Sequence, residues 1–181
     1  FEIDKKPANP GKTVLSLENI SVKNNRGQMA VNNLSLDIRS GEVVGIAGVD
    51  GNGQTELIYG ISGLLPIESG RILLNGEDIS KLSIRKRIEL GIGHIPEDRQ
   101  KHGLVAEFTV AENIAIKNYY KEPYSSKSGI LNMEAMKETV FSQSSPRTFA
   151  LTALPSIIFA IILFSFRESC GIVLFGNFCS D

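Results

Sequence analysis

The sequence predicts an α/β fold, and two observations carry that prediction. Residues 13–38 contain two stretches in which apolar and polar side chains alternate, a pattern typical of half-buried strands. Residues 41–63 then pass from a short apolar run through a glycine-rich loop into a segment with helical character. The sequence therefore predicts both strands and helices within one chain.

The first two strands are predicted at Thr13–Val22 and Val31–Ile38, joined by the turn cluster Asn24–Gln28. The apolar phase of the first strand slips by one residue at Glu18-Asn19. Such a slip indicates a β-bulge, in which one extra residue is inserted into a strand.

The elements that follow are shorter. Gly41–Ala47 carries apolar side chains on both faces, which is typical of a buried strand, and a helix is predicted to begin at Thr55. Arg71–Asn75 is a further strand, closed by the hairpin signal Asn75-Gly76. A short helix is predicted at Ile84–Leu90 and a strand at Ile92–Ile95. A second helix, which opens with a capping box at Thr109–Glu112, is predicted at Val110–Ile116, and a polar loop at Tyr119–Gly129.

Composition limits the possible functions. The formal net charge is −1 over 181 residues, so there is no electrostatic basis for nucleic-acid binding. Cys170 and Cys179 could pair, but two cysteines do not indicate a secreted scaffold. Phe1–Gly11 is polar, lacks a signal peptide and opens without methionine, so we expect the start of a fragment or of the second half of a longer polypeptide.

The composition changes at about Val140. Residues 141–181 hold seven of the nine phenylalanines but only four charged residues. Within this tail, Phe149–Phe166 is an uncharged 18-residue stretch at the threshold length for a membrane span. A buried helix or an unstructured hydrophobic tail is an equally good interpretation of that stretch.

The loop Gly48–Thr55 follows the phosphate-loop pattern of glycine, four residues, glycine, lysine and serine or threonine, with Gln54 in place of the lysine. Its glycines let backbone N–H groups approach phosphate oxygens, and the following helix points its positive end at the same anion. A neutral Gln54 forfeits a charge-assisted contact worth roughly 1.5–3 kcal/mol, about ten- to hundredfold in affinity. Hydrolysis should suffer more. Without the lysine, an ordinary glycine-rich turn before a helix is an equal alternative.

Several stretches together resemble a known family. Leu15–Leu64 and Ser69–Ile79 resemble the ATP-binding-cassette ATPases in order and spacing. Leu90–Ile116 is more specific: it resembles the second, degenerate cassette of the double-cassette ATPases that drive bacterial simple-sugar and nucleoside importers. That half carries a non-lysine residue in the loop and Glu-Asp-Arg, here Glu97–Arg99, where other cassettes have glutamine. Phe1–Gly11 is similar to the linker between the cassettes, so the resemblance covers about residues 1–138.

The resemblance implies a partial phosphate-loop cassette fold: an antiparallel β subdomain, the start of a parallel core sheet and the start of a helical subdomain. It divides the chain into a linker at 1–12, a partial nucleotide-binding domain at 13–138, and a hydrophobic tail at 139–181 that is unlike the family. It implies ATP and Mg²⁺ as ligands, with Thr55 offering its hydroxyl to the metal. The residues that would cradle the phosphates are Gly48, Asp50, Gly51, Asn52, Gly53, Gln54 and Thr55.

Other family positions are less complete. Glu97 stands at the Q-loop position, which in the family senses Mg²⁺ and the γ-phosphate and links to the transmembrane partner. No aromatic side chain stands at Lys23–Asn25, where the family stacks adenine. His94 and His102 are interpreted as ordinary strand and loop histidines. After Val140 there is no Leu-Ser-Gly-Gly signature, no Asp-Glu pair and no histidine, so no catalytic residue is assigned.

Two interpretations of the tail remain: a frameshift or truncation in the gene, which we favour, or a genuine membrane-associating extension. The coding DNA decides between them, because a frameshift requires that another reading frame downstream encode the missing signature and acidic strand end.

The resemblance implies an ATP-binding subunit, or part of one, of an importer for sugars or nucleosides, with negligible hydrolysis by this chain alone. Its partners would be transmembrane permease subunits, a second nucleotide-binding domain and, indirectly, a substrate-binding protein, at the cytoplasmic face of a bacterial membrane. The alternative is a non-catalytic, cassette-like interaction module. An unrelated phosphate-loop triphosphatase is disfavoured by Ser69–Asp78 and Gly91–Arg99.

Overall fold

The structure is a computed structural model that describes residues 10–49, 51–126, 128–143, 159–166 and 169–175. The described residues of Phe1–Glu97 and Ser156–Asp181 form one compact unit, called here the sheet unit, and those of Asp98–Pro155 form a second, the helical unit. The elements are β1 Thr13–Lys23, β2 Met29–Arg39, β3 Val43–Gly48, α1 Gln54–Ser62, β4 Ser69–Leu74, β5 Glu77–Asp78, α2 Ile84–Glu89, β6 Ile92–Ile95, α3 Arg99–His102, α4 Val110–Ala115, α5 Met133–Gln143, β7 Phe159–Phe166 and β8 Ser169–Phe175.

The first sheet has the order β2-β1-β4-β5, with every neighbouring pair antiparallel. The predicted bulge is confirmed, since the β1–β2 register shifts between Leu17 and Ile20 and Asn19 has a φ of 50°. The hairpin between β4 and β5 is also confirmed. Asn75 and Gly76 have φ values of 51° and 86°, the left-handed backbone that a two-residue hairpin turn requires.

The core of the sheet unit lies between this sheet and α1. Its largest side chains with less than 2% exposure are Leu15, Leu17, Ile20, Ile38, Ile58, Ile61, Ile72 and Ile79. Each contributes about 1.5–3 kcal/mol by leaving water. Gly60 lets the helix approach β1 closely, because a Cβ added there would lie 3.0 Å from Val22 Cγ2. Apolar packing therefore seats α1 against the first sheet.

The second sheet has the order β3-β8-β7-β6. β8 is antiparallel to both β3 and β7, while β7 is parallel to β6. β3 and β6 therefore run in the same direction, as expected for the first strands of a parallel core sheet. Their carboxyl ends lie at the same edge, which is where open α/β sheets bind ligands.

The prediction that β3 is buried on both faces is wrong. Val44 and Ile46 are half-buried and pack on the apolar core, but Val43, Gly45 and Ala47 on the other face are exposed. Among the residues that the structure describes, β3 is therefore covered by apolar side chains on one face only.

The helical interpretations of Phe149–Phe166 are wrong over residues 159–166, which form β7. Residues 149–158 lie outside the described part, and so does Cys179. Within the described ranges, no helix is both long and apolar enough to cross a membrane. The domain boundaries at 12/13 and 138/139 stay predictions.

The helical unit contains α3, α4 and α5, and α4 contacts α5. Its buried apolar side chains, among the described residues, are Ala115, Ala135 and Met136. The capping box at the start of α4 is confirmed: Thr109 Oγ1 accepts from the Glu112 backbone N–H at 3.3 Å, and Glu112 Oε2 accepts from the Thr109 N–H at 2.8 Å. Ser125, in the predicted polar loop, forms an isolated bridge with Leu131, which lies two residues beyond the end of that loop.

Candidate functional site

The predicted phosphate loop joins the end of β3 to the start of α1. Gly48 is the last, half-buried residue of the strand, and Gly51 and Asn52 are exposed at the tip. The Asn52 N–H donates to the Val49 carbonyl at 3.2 Å, which closes a tight turn. Asp50 lies outside the described residues. The loop therefore presents its backbone to solvent between two anchored ends.

Gly53 anchors the helical end of the loop. Its φ is +90°, and a Cβ added there would lie 2.3 Å from the Ala30 carbonyl oxygen of β2. No residue with a side chain fits this approach without moving the backbone. The Leu57 N–H donates to Gly53 O at 2.9 Å, so α1 starts at Gln54, one residue before the predicted Thr55. The beginning of β2 thus sets the position at which the helix starts.

The amino end of α1 is the part of the loop that is predicted to face an anion. Gly53 supplies no side-chain cap. The first N–H groups of a helix have no acceptor within the helix, and the helix dipole adds partial positive charge at that end. A phosphate placed beside these N–H groups is stabilised by both effects. Glu56, in the first turn, offsets part of this attraction with its negative charge.

Gln54, in the lysine position, turns inward. Its side chain is only 6% exposed, and Nε2 lies 3.3 Å from the Val49 carbonyl, to which it donates. A Cβ on Gly48 would lie 2.1 Å from the same nitrogen, so the amide rests directly on the Gly48 backbone. The neutral side-chain amide of Gln54 thus stabilises the loop through a hydrogen bond on its inner side.

The structure brings Thr55 and the loop together and places Glu97 at the same sheet edge. Thr55 is half-buried in the first turn of α1. Glu97 is exposed two residues after β6, and its strand runs parallel to β3. Among the described residues, no group of three or more His, Cys, Asp or Glu side chains could hold a metal ion.

Sequence reasoning missed the residue that holds the other end of α1. Arg87, on α2, is 3% exposed and donates from Nη1 to the carbonyls of Gly60 and Ile61, each at 2.7 Å. It also donates to Ser80 O at 2.7 Å and Leu82 O at 3.1 Å. Burial lowers the pKa of the guanidinium from its ordinary value. No local pattern singles it out within the basic run Arg85–Arg87.

A family model described as ABC transporter matches residues 31–154, which is more than half of the chain. The chain belongs to the ABC transporter family. The resemblance drawn from the phosphate loop and from Leu90–Ile116 is thus confirmed.

Curated relatives agree with the family. The ABC transporter chain is 52% identical over 136 residues to the guanosine import ATP-binding protein NupO of Bacillus subtilis, covering 75% of this chain and 26% of that protein. It is 50% identical over 132 residues to the nucleoside import ATP-binding protein NupA of Lactococcus lactis, covering 73% and 26%. A glucose import ATP-binding protein of Haloferax volcanii is 39% identical, covering 70% and 23%. The chain spans about a quarter of the length of these relatives.

Solved structures confirm the fold. A nucleotide-free ATP-binding cassette from an ABC transporter matches with a TM-score of 0.53 at 21% identity, covering 77% of this ABC transporter chain and 56% of that one. A second ATP-binding cassette of an ABC transporter matches with a TM-score of 0.54 at 24% identity and the same coverage. The predicted α/β cassette fold, partial in extent, is therefore confirmed.

Proposed function

We propose that this chain is the ATP-binding part of an importer ATPase, and that the importer carries nucleosides. Support for the substrate class comes from the two nucleoside-related relatives, at 52% and 50% identity, against 39% for the glucose relative. Each relative is described by its name as an import ATP-binding protein. The observation that carries the binding proposal is the loop geometry between β3 and α1.

The loop fits the phosphates of a nucleotide. Gly53 packs on Ala30 O, so the start of α1 is fixed by contact with the first sheet and not by a flexible side chain. Exposed Gly51 and Asn52 leave the tip accessible to a ligand. Preorganised N–H donors lose little entropy when an anion binds, which favours affinity.

Magnesium would be held through Thr55 Oγ1 and the phosphates, with the carboxylate of Glu97 available at the same sheet edge. Mg²⁺ takes oxygen ligands and keeps several waters, so one or two protein oxygens suffice. When bound, it neutralises charge on the phosphate oxygens. The chain's own contribution is to orient those phosphates with the loop amides.

Hydrolysis at this site is expected to be slow. Gln54 cannot place positive charge on the γ-phosphate, and its amide is engaged with the Val49 carbonyl inside the loop. Stabilising the transition state of phosphoryl transfer depends on such charge. The site is therefore proposed to bind nucleotide and to leave turnover to a second nucleotide-binding domain.

The proposed assembly follows from the family. Permease subunits in a bacterial membrane, contacted from the cytoplasmic face, are the proposed partners, together with a second nucleotide-binding domain and, indirectly, a substrate-binding protein. Nucleic acid is not a proposed partner, because the net charge is −1.

Calorimetric titration of the full chain with a non-hydrolysable magnesium–ATP analogue tests the binding proposal. We expect micromolar affinity, strongly weakened by Gly53→Ala, because the new Cβ collides with Ala30 O. Gly76→Ala is the matched control, since Gly76 has a φ of +86° but nothing within 4 Å of an added Cβ. Absence of binding by the unmodified chain would reject the proposal in favour of a non-catalytic interaction module.

Restoring the lysine tests the role of Gln54. Gln54→Lys should tighten binding of the analogue about ten- to hundredfold, because it adds a charge-assisted contact. Gln100→Lys adds the same charge at an exposed site in the helical unit and should leave affinity unchanged. Robust ATP turnover by the unmodified chain, abolished by Thr55→Ala, would overturn the expectation of slow hydrolysis.

A further inference from the structure

Among the residues whose burial the structure describes, Arg87 is the only charged residue that is buried. Its guanidinium is buried and donates to four backbone carbonyls, those of Gly60, Ile61, Ser80 and Leu82. All four of these bonds go to backbone carbonyls, and none goes to a carboxylate. A buried guanidinium that donates all these hydrogen bonds to backbone oxygens holds in place the backbone segments to which those oxygens belong.

Two of these carbonyls belong to the last turn of α1. Helix carbonyls in the last turn lack N–H donors within the helix, and a positive charge there is favoured by the dipole. α1 has no basic residue of its own in its last turn. Gly63 leaves room for the guanidinium, because a Cβ there would lie 3.2 Å from Arg87 Nε. The charge is thus supplied by α2 from outside the helix.

The same guanidinium reaches two other segments. Ser80 follows β5 at the end of the first sheet, and Leu82 precedes α2. α2 itself leads directly into β6, after which Glu97 stands. Arg87 therefore connects three segments through hydrogen bonds. These are α1, which follows the phosphate loop, the end of the first sheet, and the segment that leads to Glu97.

We propose that Arg87 is a positioning residue for the nucleotide site, holding α1 from its carboxyl end so that the amides at its amino end stay aimed at the phosphates. This rests on the proposed nucleotide-binding function. Gly53 packs on Ala30 O at the amino end of the helix, whereas the apolar contacts of Leu57, Ile58 and Ile61 along it are non-directional. The four directed bonds of Arg87 fix the carboxyl end.

Arginine is required because of its shape. Its planar fork presents several donors in a fixed geometry, whereas a lysine ammonium is a point charge on a flexible stem. Lysine in this place keeps the charge beside the helix end but cannot reach carbonyls of all three segments together. Arg87→Lys therefore separates positioning from simple charge compensation.

The test uses the full chain with Arg87→Lys, Arg87→Gln and the control Lys86→Gln. Lys86 is the neighbouring basic residue and its side chain is 67% exposed. Affinity for the magnesium–ATP analogue and for inorganic triphosphate is measured at a temperature at which circular dichroism shows each variant folded. We expect about tenfold weaker binding of both ligands by Arg87→Lys, since losing one charge-assisted hydrogen bond from a displaced amide to a phosphate costs about tenfold or more in affinity. Lys86→Gln should bind like the unmodified chain.

Hydrogen exchange of the ligand-free protein supplies the second readout. Arg87→Lys should lose protection at the Leu57 amide, which bonds to Gly53 O at the far end of α1. Loss confined to Gly60–Gly63, or unchanged affinity in a folded Arg87→Lys, overturns the positioning role. If the unmodified chain binds neither ligand, the proposed function fails, and protection at Leu57 alone then decides for or against Arg87.

Discussion

The two units of this chain are stabilised by different means. Fourteen apolar residues of the sheet unit are buried together in one cluster, whereas the helical unit buries Ala115, Ala135 and Met136, counting the described residues of each unit. Most large apolar side chains of the helical unit are exposed, namely Leu104, Phe108, Val110, Ile116, Tyr119, Ile130, Leu131 and Met133.

The helical unit depends instead on hydrogen bonds between side chains and backbone. Asn113 and the capping box at Thr109–Glu112 hold the segment that leads into α4. Such bonds each contribute about 0.5–1.5 kcal/mol, less than a buried Ile or Leu. We therefore expect the helical unit to open before the sheet unit.

The largest expected effect is in the core of the sheet unit. Ile72→Ala removes a fully buried side chain and should lower the free energy of unfolding by about 2–5 kcal/mol. Ile130→Ala is the matched change in the helical unit, where the side chain is 71% exposed, and should cost less than about 0.5 kcal/mol. Urea unfolding followed by circular dichroism measures both. Equal losses of the free energy of unfolding in the two variants would contradict the expected difference between the units.

A smaller effect is expected at Asn113. Its Nδ2 donates to the carbonyls of Val105, Phe108 and Thr109 at 3.0–3.1 Å, and its Oδ1 accepts from the Val105 N–H at 2.9 Å. Asn113→Ala leaves these groups without that partner, at a cost of about 1–3 kcal/mol. Hydrogen exchange should accelerate at 105–115 and stay unchanged in the first sheet, while the exposed Asn118→Ala leaves both unchanged. Faster exchange in β1 would show that the units unfold together.

The capping residue should matter less again. Thr109→Ala removes the side-chain acceptor for the Glu112 N–H and should destabilise α4 by about 0.5–2 kcal/mol. Thr109→Ser keeps the hydroxyl and should recover most of the protection of α4 in hydrogen exchange. If serine and alanine behave alike, the hydroxyl is not the stabilising group.

The smallest effect is a pH dependence confined to the helical unit. Hydrogen bonds from the Thr109 hydroxyl, and then from its backbone N–H, lower the pKa of Glu112 from its ordinary value. A lowered carboxyl pKa adds stability above the unfolded-state pKa, and this stability is lost as the pH falls through the folded-state pKa. Protection factors at the start of α4 should therefore fall in that acidic range. Glu112→Gln should remove the dependence, and a dependence that persists in this variant assigns it to another group.

Sequence signals that act over a few residues predicted their elements correctly. The bulge at Asn19, the Asn75-Gly76 turn and the capping box at Thr109 each depend on backbone preferences of neighbouring residues. The glycines of the loop Gly48–Thr55 also act locally, because they permit the conformation that Gly53 adopts, while phosphate binding by this loop stays a prediction.

Features decided by distant residues were not predictable in this way. The uncharged run at 159–166 fits a helix or a strand, and its pairing with β6 and β8 decides the outcome. Arg87 gains its role from carbonyls more than 20 positions away in sequence as well as from nearby ones. The packing of Gly53 against Ala30 likewise depends on how the first sheet meets the loop.

The position of β7 and β8 has a consequence for the order of folding during synthesis. The first sheet needs only residues 13–78, so it can form as soon as that segment leaves the ribosome. The strand that carries the phosphate loop has to wait, because Gly48 pairs with Cys170 and Val43 with Phe175. Long-range pairings of this kind form slowly. Between the synthesis of β6 and that of β8, the nascent chain therefore carries β3 and β6 without the hairpin that separates them. A chaperone that covers strand edges would have its greatest effect in that interval.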